Sequence, residues 1–100
     1  MILFEWDDAK AQSDVRKHGV SFELARPVFI DAFALVEQDR VAGVETRWRT
    51  IGLAVAGTIL FVAHTVEEKG EYELVRIISA RRATRSEREL YGQSREKHIS

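Results

Sequence analysis

A chain of 100 residues, 45% hydrophobic and 31% charged, can bury one modest core, which points to a single domain and excludes a disordered or fibrous protein. It has no cysteine, so disulfides, thiolate metal sites and thiol nucleophiles are excluded, and a reducing, cytoplasmic location is expected. The net charge of −1 conceals a gradient: five Lys/Arg face nine Asp/Glu over residues 1–46, whereas seven face three over residues 76–100, which suits a polyanion-binding face, an acidic partner or a solvated basic helix.

Ile2 to Glu5 reads as a short strand. Asp7 then offers an N-cap oxygen, and Asp8 adds negative charge to the first turn of a helix. Ala11, Val15 and His18 recur at helical spacing and are expected on one face, and Gly19 with Val20 suits a left-handed helix end. Ser21 caps a second, shorter helix with Phe22, Ala25 and Val28 or Phe29 inward. Pro27 removes a hydrogen bond there, which predicts a short or kinked element.

From Phe33 the pattern changes to β-branched and aromatic runs: Phe33–Gln38, Thr46–Val55, Thr58–Val66 and Tyr72–Ala80. Their dividers, Val41–Val44, Ala56–Gly57 and Glu67–Glu71, are short enough for hairpins. Thr84 and Glu87 form a capping box for a last helix carrying Leu90 and Tyr91, which Gly92 ends or weakens. The expected fold class is α+β, an antiparallel sheet in the order β-α-α-β-β-β-β-α with two helices packed on one face. Residues 1–92 form this domain and residues 93–100 a frayed tail. The first apolar run meets Glu5, Asp7 and Asp8 at once, and the longest, Leu53 to Ala63, is interrupted by Gly57 and Thr58. Neither a secretory signal nor a membrane span of roughly 20 residues is expected.

Several residues could carry chemistry. Arg76 lies between apolar neighbours in the last strand, so it must pair with an acid such as Glu45 or reach a cleft. Strand alternation sends Arg76 and Arg81 to opposite faces unless a bulge or the strand end intervenes. Glu45, Arg47 and Arg49 share one side of their strand; a carboxylate beside arginines suits either a solvated edge or a base with phosphate clamps. Lys17 and His18 close the first helix, and His64 reads as a packed core histidine. His18, His64 and His98 have no ligand spacing, so no metal site is expected. Trp6, Trp48 and Tyr91 could stack on bases, although aromatics in so small a domain usually belong to the core.

The string Phe4-Glu-Trp6-Asp7-x-x-Lys10, then Lys17-His-Gly-Val-Ser-Phe22, Ala25 and Val28-Phe-Ile-Asp31, resembles the opening of BrnT toxins. The resemblance continues through Glu45-Thr-Arg47, Gly52, Arg76-Ile-Ile-Ser-Ala-Arg81-Arg-Ala83, Glu87-Arg88 and Tyr91, so it covers residues 2 to 91. Two positions depart: Asp14 stands where the family commonly has Asn, and Val66-Glu67-Glu68 follows Thr65 where a basic residue is common.

The resemblance implies a RelE-like fold and a metal-independent endoribonuclease, without cofactor, that halts translation as the toxin of a type II toxin–antitoxin module. Its partners would be RNA and a BrnA-type antitoxin, with operator DNA reached only through the antitoxin and with room for a dimer in that complex. No membrane partner is implied. Arg76 and Arg81 would then clamp the phosphate, with Arg47 and Tyr91 as further substrate contacts. Glu45 or His18 would be base or acid, and Lys17 would add positive charge to the groove. If Arg76 and Arg81 do diverge, one of them is structural, paired with Glu87 or Glu45. The competing reading is a non-catalytic module that docks a partner through its basic C-terminal region.

Overall fold

The computed structural model describes residues 1–43 and 45–99. Val44 of the first expected divider, Ser100 of the expected tail and the side chain of His98 lie outside that description. β1 (Ile2–Glu5) leads into α1 (Asp8–His18), α2 (Phe22–Ala25) and a 3₁₀ segment (Arg26–Ile30). Four strands follow: β2 (Leu35–Ala42), β3 (Glu45–Leu53), β4 (Ile59–Glu68) and β5 (Glu73–Arg82), with a second 3₁₀ segment (Val55–Gly57) between β3 and β4. α3 (Arg85–Ile99) closes the chain.

The strands form one five-stranded sheet in the order β1-β5-β4-β3-β2. β2 to β5 make the expected antiparallel meander. The sheet is nevertheless mixed rather than antiparallel throughout, because β1 pairs parallel with β5, Ile2 opposite Glu73 and Glu5 opposite Arg76. β1 and β2 therefore occupy opposite edges, and the helical segment joining them must cross the sheet's full width on one face. The two 3₁₀ segments are additions to the expected order.

That crossing segment is held by apolar burial. Val20, Phe22, Ala25 and Val28 pack on Leu60, Val62, Val75, Ile77 and Ala80 in one cluster, each fully buried aliphatic contributing about 1.5–3 kcal/mol. Asp7 and Ser21 cap α1 and α2 as expected, accepting from the Lys10 and Leu24 amides at 2.9 and 3.2 Å. Pro27 sits at the start of the 3₁₀ segment, and α2 ends at Ala25 before it. The inward face of α1 differs from expectation. Val15 and His18 are exposed, whereas Asp14 is buried and its Oδ2 accepts the Ala80 amide at 3.0 Å. A hydrophobic pattern could not single out a face anchored by a carboxylate.

The 3₁₀ segment approaches β3 closely at Gly52, where an added Cβ would lie 2.9 Å from Val28 Cγ1 and 3.3 Å from the Val28 carbonyl. Asp31, just beyond this segment, accepts from the Phe33 amide (2.9 Å), the Leu53 amide (2.8 Å) and the Tyr91 hydroxyl (2.7 Å). Burial opposes its charge, but the Leu53 and Phe33 amides and Tyr91 outweigh that and hold its pKa below the usual range.

α3 packs on the other face of the sheet, where Tyr91 joins Ile51, Ala83, Phe33, Leu35, Ile59 and Phe61. Gly92 does not end it; the helix runs on to Ile99, so residues 93–99 are helical rather than a tail. Contacts beyond the glycine account for this. Ser94 Oγ donates to the Phe33 carbonyl at 3.4 Å, and the Arg95 guanidinium lies 5.8 Å from the Phe33 ring centre.

Candidate functional site

On the face that carries α3, pairing across β5, β4, β3 and β2 arranges side chains in rows. One row is Arg81, Phe61, Ile51 and Leu35, and the next is Ser79, Ala63, Arg49 and Glu37. Between Ala63 and His64 the register shifts, so that β5 carries an extra residue, Ile78, with no partner on β4. The inserted residue reverses the alternation. Arg76, opposite Thr65, therefore projects from the same face as Arg81, opposite Phe61. α3 covers the end of this face around Phe61 and Ile51 and leaves the Arg76 end open.

At the open end lies a depression of about 290 Å³ lined by Asp7, Lys10, Glu45, Arg47, Arg76 and the bulged stretch Ile77–Ile78. The parallel pairing of Glu5 with Arg76 explains why α1 begins there: chain leaving β1 runs alongside β5. Arg76 is exposed and makes no hydrogen bond or ion pair among the described residues. Arg47 Nε is buried without a hydrogen-bond partner, 3.6 Å from Glu45 Oε2. The row position of Arg47 puts it on the side of β3 that faces Arg76 across the small Thr65.

Lys10 is a member of this group to which the sequence reading, though it named the residue in the family string, gave no role. It stands in the first turn of α1, where the helix dipole disfavours a cation by roughly 0.3–1 kcal/mol. A lysine at a position the dipole disfavours is a signal the sequence did contain.

Arg81 occupies a different setting. Its Nη1 and Nη2 bind Glu87 Oε1 and Oε2 at 2.8 and 3.0 Å, and its guanidinium lies 4.0 Å from the Phe61 ring centre. Glu87 also completes the expected capping box, accepting from the Thr84 amide at 2.8 Å while Thr84 Oγ1 accepts from the Glu87 amide at 3.2 Å. The Arg81 bond, helped by the Thr84 amide against the effect of burial, lowers the Glu87 pKa to about 2. Of the two arginines, Arg81 is the one tied to Glu87, and Arg76 is the one without a partner among the described residues.

Tyr91 is not available to a base: it is 3% exposed and its hydroxyl is spent on Asp31, and burial, with Asp31 second, raises its pKa to about 12. Lys17 and His18 are exposed in the last turn of α1, seven and eight residues from Lys10 or about 10–12 Å along the axis, and neither lines the depression. His64 is a packed histidine, as its strand position suggested. It is 2% exposed on the opposite face, with Nε2 2.7 Å from Thr50 Oγ1 and its ring edge-on to Phe29. Burial lowers its pKa to about 4. Trp6 likewise packs edge-on against Phe22. Among the described residues no group of three or more His, Cys, Asp or Glu side chains converges, and no helix is long and apolar enough to cross a membrane.

A family model described as the ribonuclease toxin BrnT of type II toxin–antitoxin systems matches residues 6–87, a span that includes every residue of the depression. Among solved structures, the 1.1 Å crystal structure of the Brucella abortus ribonuclease toxin BrnT is similar at 27% identity with a TM-score of 0.63. The match covers 85% of this chain and 99% of that one. No curated protein sequence matches the chain.

Proposed function

The chain belongs to the BrnT family of ribonuclease toxins of type II toxin–antitoxin systems, and on that footing we propose that the depression around Arg76 is where it cleaves RNA. One observation carries this placement: Arg76, Arg47 and Lys10 converge with Glu45 on an open stretch of sheet, and Arg76 has no partner among the described residues to neutralise it.

The reaction is a 2′-hydroxyl attack. Glu45 takes the 2′-OH proton, the 2′-oxygen bonds to phosphorus, and the bond to the 5′-oxygen breaks. The products are a 2′,3′-cyclic phosphate and a 5′-hydroxyl, whose proton comes from the Lys10 ammonium. Arg76 and Arg47 donate hydrogen bonds to the phosphoryl oxygens as their charge grows, and this cationic supply supports a metal-independent step. Arg81 acts on the site through Glu87 and α3 rather than on the phosphate. Lys17, His18 and Tyr91 take no part in the step.

As a RelE-like toxin the protein would act in the cytoplasm to halt translation. A BrnA-type antitoxin would neutralise it, and operator DNA would be reached only through that antitoxin, with a dimer accommodated in the complex. The docking-module reading has less support, because three arginines of that region are engaged internally: Arg81 with Glu87, Arg85 with Glu89 and Arg88 with the Ala83 carbonyl. The test is purified protein on end-labelled RNA with a chelator present. A 2′,3′-cyclic phosphate end is expected, and intact RNA, or cleavage that the chelator abolishes, counts against the mechanism.

A further inference from the structure

A second depression, of about 200 Å³, opens between α3 and the sheet on the same face as Arg76. Its walls are Leu35, Ile51, Phe61 and Leu90 together with the Arg81-bound Glu87, and Glu37 and Arg49 stand at its rim. Arg49 lies two residues beyond Arg47 on β3, about 7 Å away, and shares its face. That is the reach from a phosphate to the base of an adjoining nucleotide. The volume falls below the roughly 300–1,000 Å³ of sites for drug-sized ligands, so it suits one flat ring system rather than a whole cofactor.

The rim is arranged as a donor beside an acceptor. Arg49 Nε and Nη2 both donate to Glu37 Oε2, at 3.2 and 2.8 Å, so Glu37 Oε1 receives no bond from them. Arg49 Nη1 lies 3.8 Å from Asp39 Oδ1, beyond hydrogen-bond distance. One acceptor and one donor are thus fixed side by side with bonds to spare, over walls that are apolar except for Glu87, which is held by Arg81. A base edge offers adjacent donors and acceptors, and its π-face suits an apolar wall. The larger double ring gains more from four apolar side chains than a single ring does. Arg81, stacked on Phe61 and locked to Glu87, keeps the α3 wall in place.

We infer that this depression is a purine-binding subsite that seats the base beside the scissile phosphate and sets the cleavage preference. The inference rests on the ribonuclease reading for its role, while base binding itself can be measured without cleavage. The experiment uses the full chain and 2′-O-methyl trinucleotides, which cannot be cut, with a purine or a pyrimidine at the centre. Affinity is read by titration, and the methyl signals of Leu35, Ile51 and Leu90 are followed by NMR.

Purine oligonucleotides should bind at least about tenfold tighter and move those methyls. Glu37→Gln, which removes the acceptor charge, and Leu90→Trp, which fills the depression from an exposed helix position, should each bring the ratio toward one. In parallel, cleavage ends mapped on random-sequence RNA should be enriched beside purines. Equal affinities with unmoved methyls, or a ratio untouched by both variants, would overturn the subsite. Cleavage without base preference would also overturn it and leave the ribonuclease reading standing. Purine discrimination with RNA left intact would do the reverse.

Discussion

Arg76 and Arg81 stand five positions apart along β5, an odd offset, and yet project from the same face of the sheet, because Ile78 between them has no partner on β4. The same-face placement does not make them equivalent. Arg81 is bound bidentately by Glu87, while Arg76 has no partner among the described residues.

Substituting the two should therefore separate activity from stability. Arg76→Ala should lower RNA cleavage by roughly 10²–10³-fold and leave urea unfolding within about 0.5 kcal/mol of wild type. Arg81→Ala should destabilise by about 1 kcal/mol, discounted for its partial exposure, with activity falling only as α3 loosens. Unfolding curves beside cleavage rates decide this; equal behaviour of the two variants contradicts it.

Lys10 offers a sharper separation. Lys10→Glu places a negative charge in the first turn of α1, which the helix dipole favours by roughly 0.3–1 kcal/mol. The variant should melt at or above the wild-type temperature and yet cleave RNA at least about a hundredfold more slowly. A variant as active as wild type removes Lys10 from the site.

Asp31 gathers three hydrogen bonds from separate parts of the chain. Tyr91→Phe removes one and should cost about 1 kcal/mol, whereas Asp31→Ala leaves amides unpaired and should cost roughly 2–3 kcal/mol. The double variant should cost less than the sum, since both share the 2.7 Å bond. Additive costs in urea unfolding would count against the coupling.

Stability should fall on acidification in two overlapping stages. His64 has a folded pKa of about 4 against an ordinary 6.5, so the unfolded chain binds its proton first. Its effect sets in as pH drops below 6.5 and is complete near 4, on the order of 3 kcal/mol at most. Glu87, lowered from 4.5 to about 2, stabilises above 4.5 and loses that contribution as pH approaches 2. Urea midpoints that stay flat from pH 6.5 to 4.5 would contradict the first stage.

Gly52→Ala should cost roughly 1–3 kcal/mol by overpacking, since its new Cβ would press on Val28 Cγ1 at 2.9 Å and on the Val28 carbonyl. Pairing it with Val28→Ala should recover part of the loss. Thermal unfolding of the single and double variants tests whether the contact is the cause.

What was legible in the chain follows from how locally each signal is encoded. The Thr84–Glu87 capping box, the Ser21 cap and the effect of Pro27 are matters of four or five consecutive residues, and each appears as read. The common face of Arg76 and Arg81 depends on how β5 registers against Ala63 and His64, which no stretch of β5 alone specifies. Asp14 escaped because a buried carboxylate breaks the apolar pattern used to find a helix's inner face. Gly92 misled because the contacts that carry α3 past it reach back to Phe33. Lys17 and His18 adjoin a strong sequence signature, yet α1 carries them to the end away from Lys10.

The parallel pairing of β1 with β5 has a consequence for a chain that is still being synthesised. The first strand to emerge joins the last, with Glu5 opposite Arg76. Lys10 and Arg76 are neighbours only through that closure. A nascent chain halted before Arg76 presents Lys10 and the β2–β3 hairpin but no edge for β1 to join. The cations then stay scattered, and the depression that gathers Lys10, Arg47 and Arg76 exists only once β5 is complete.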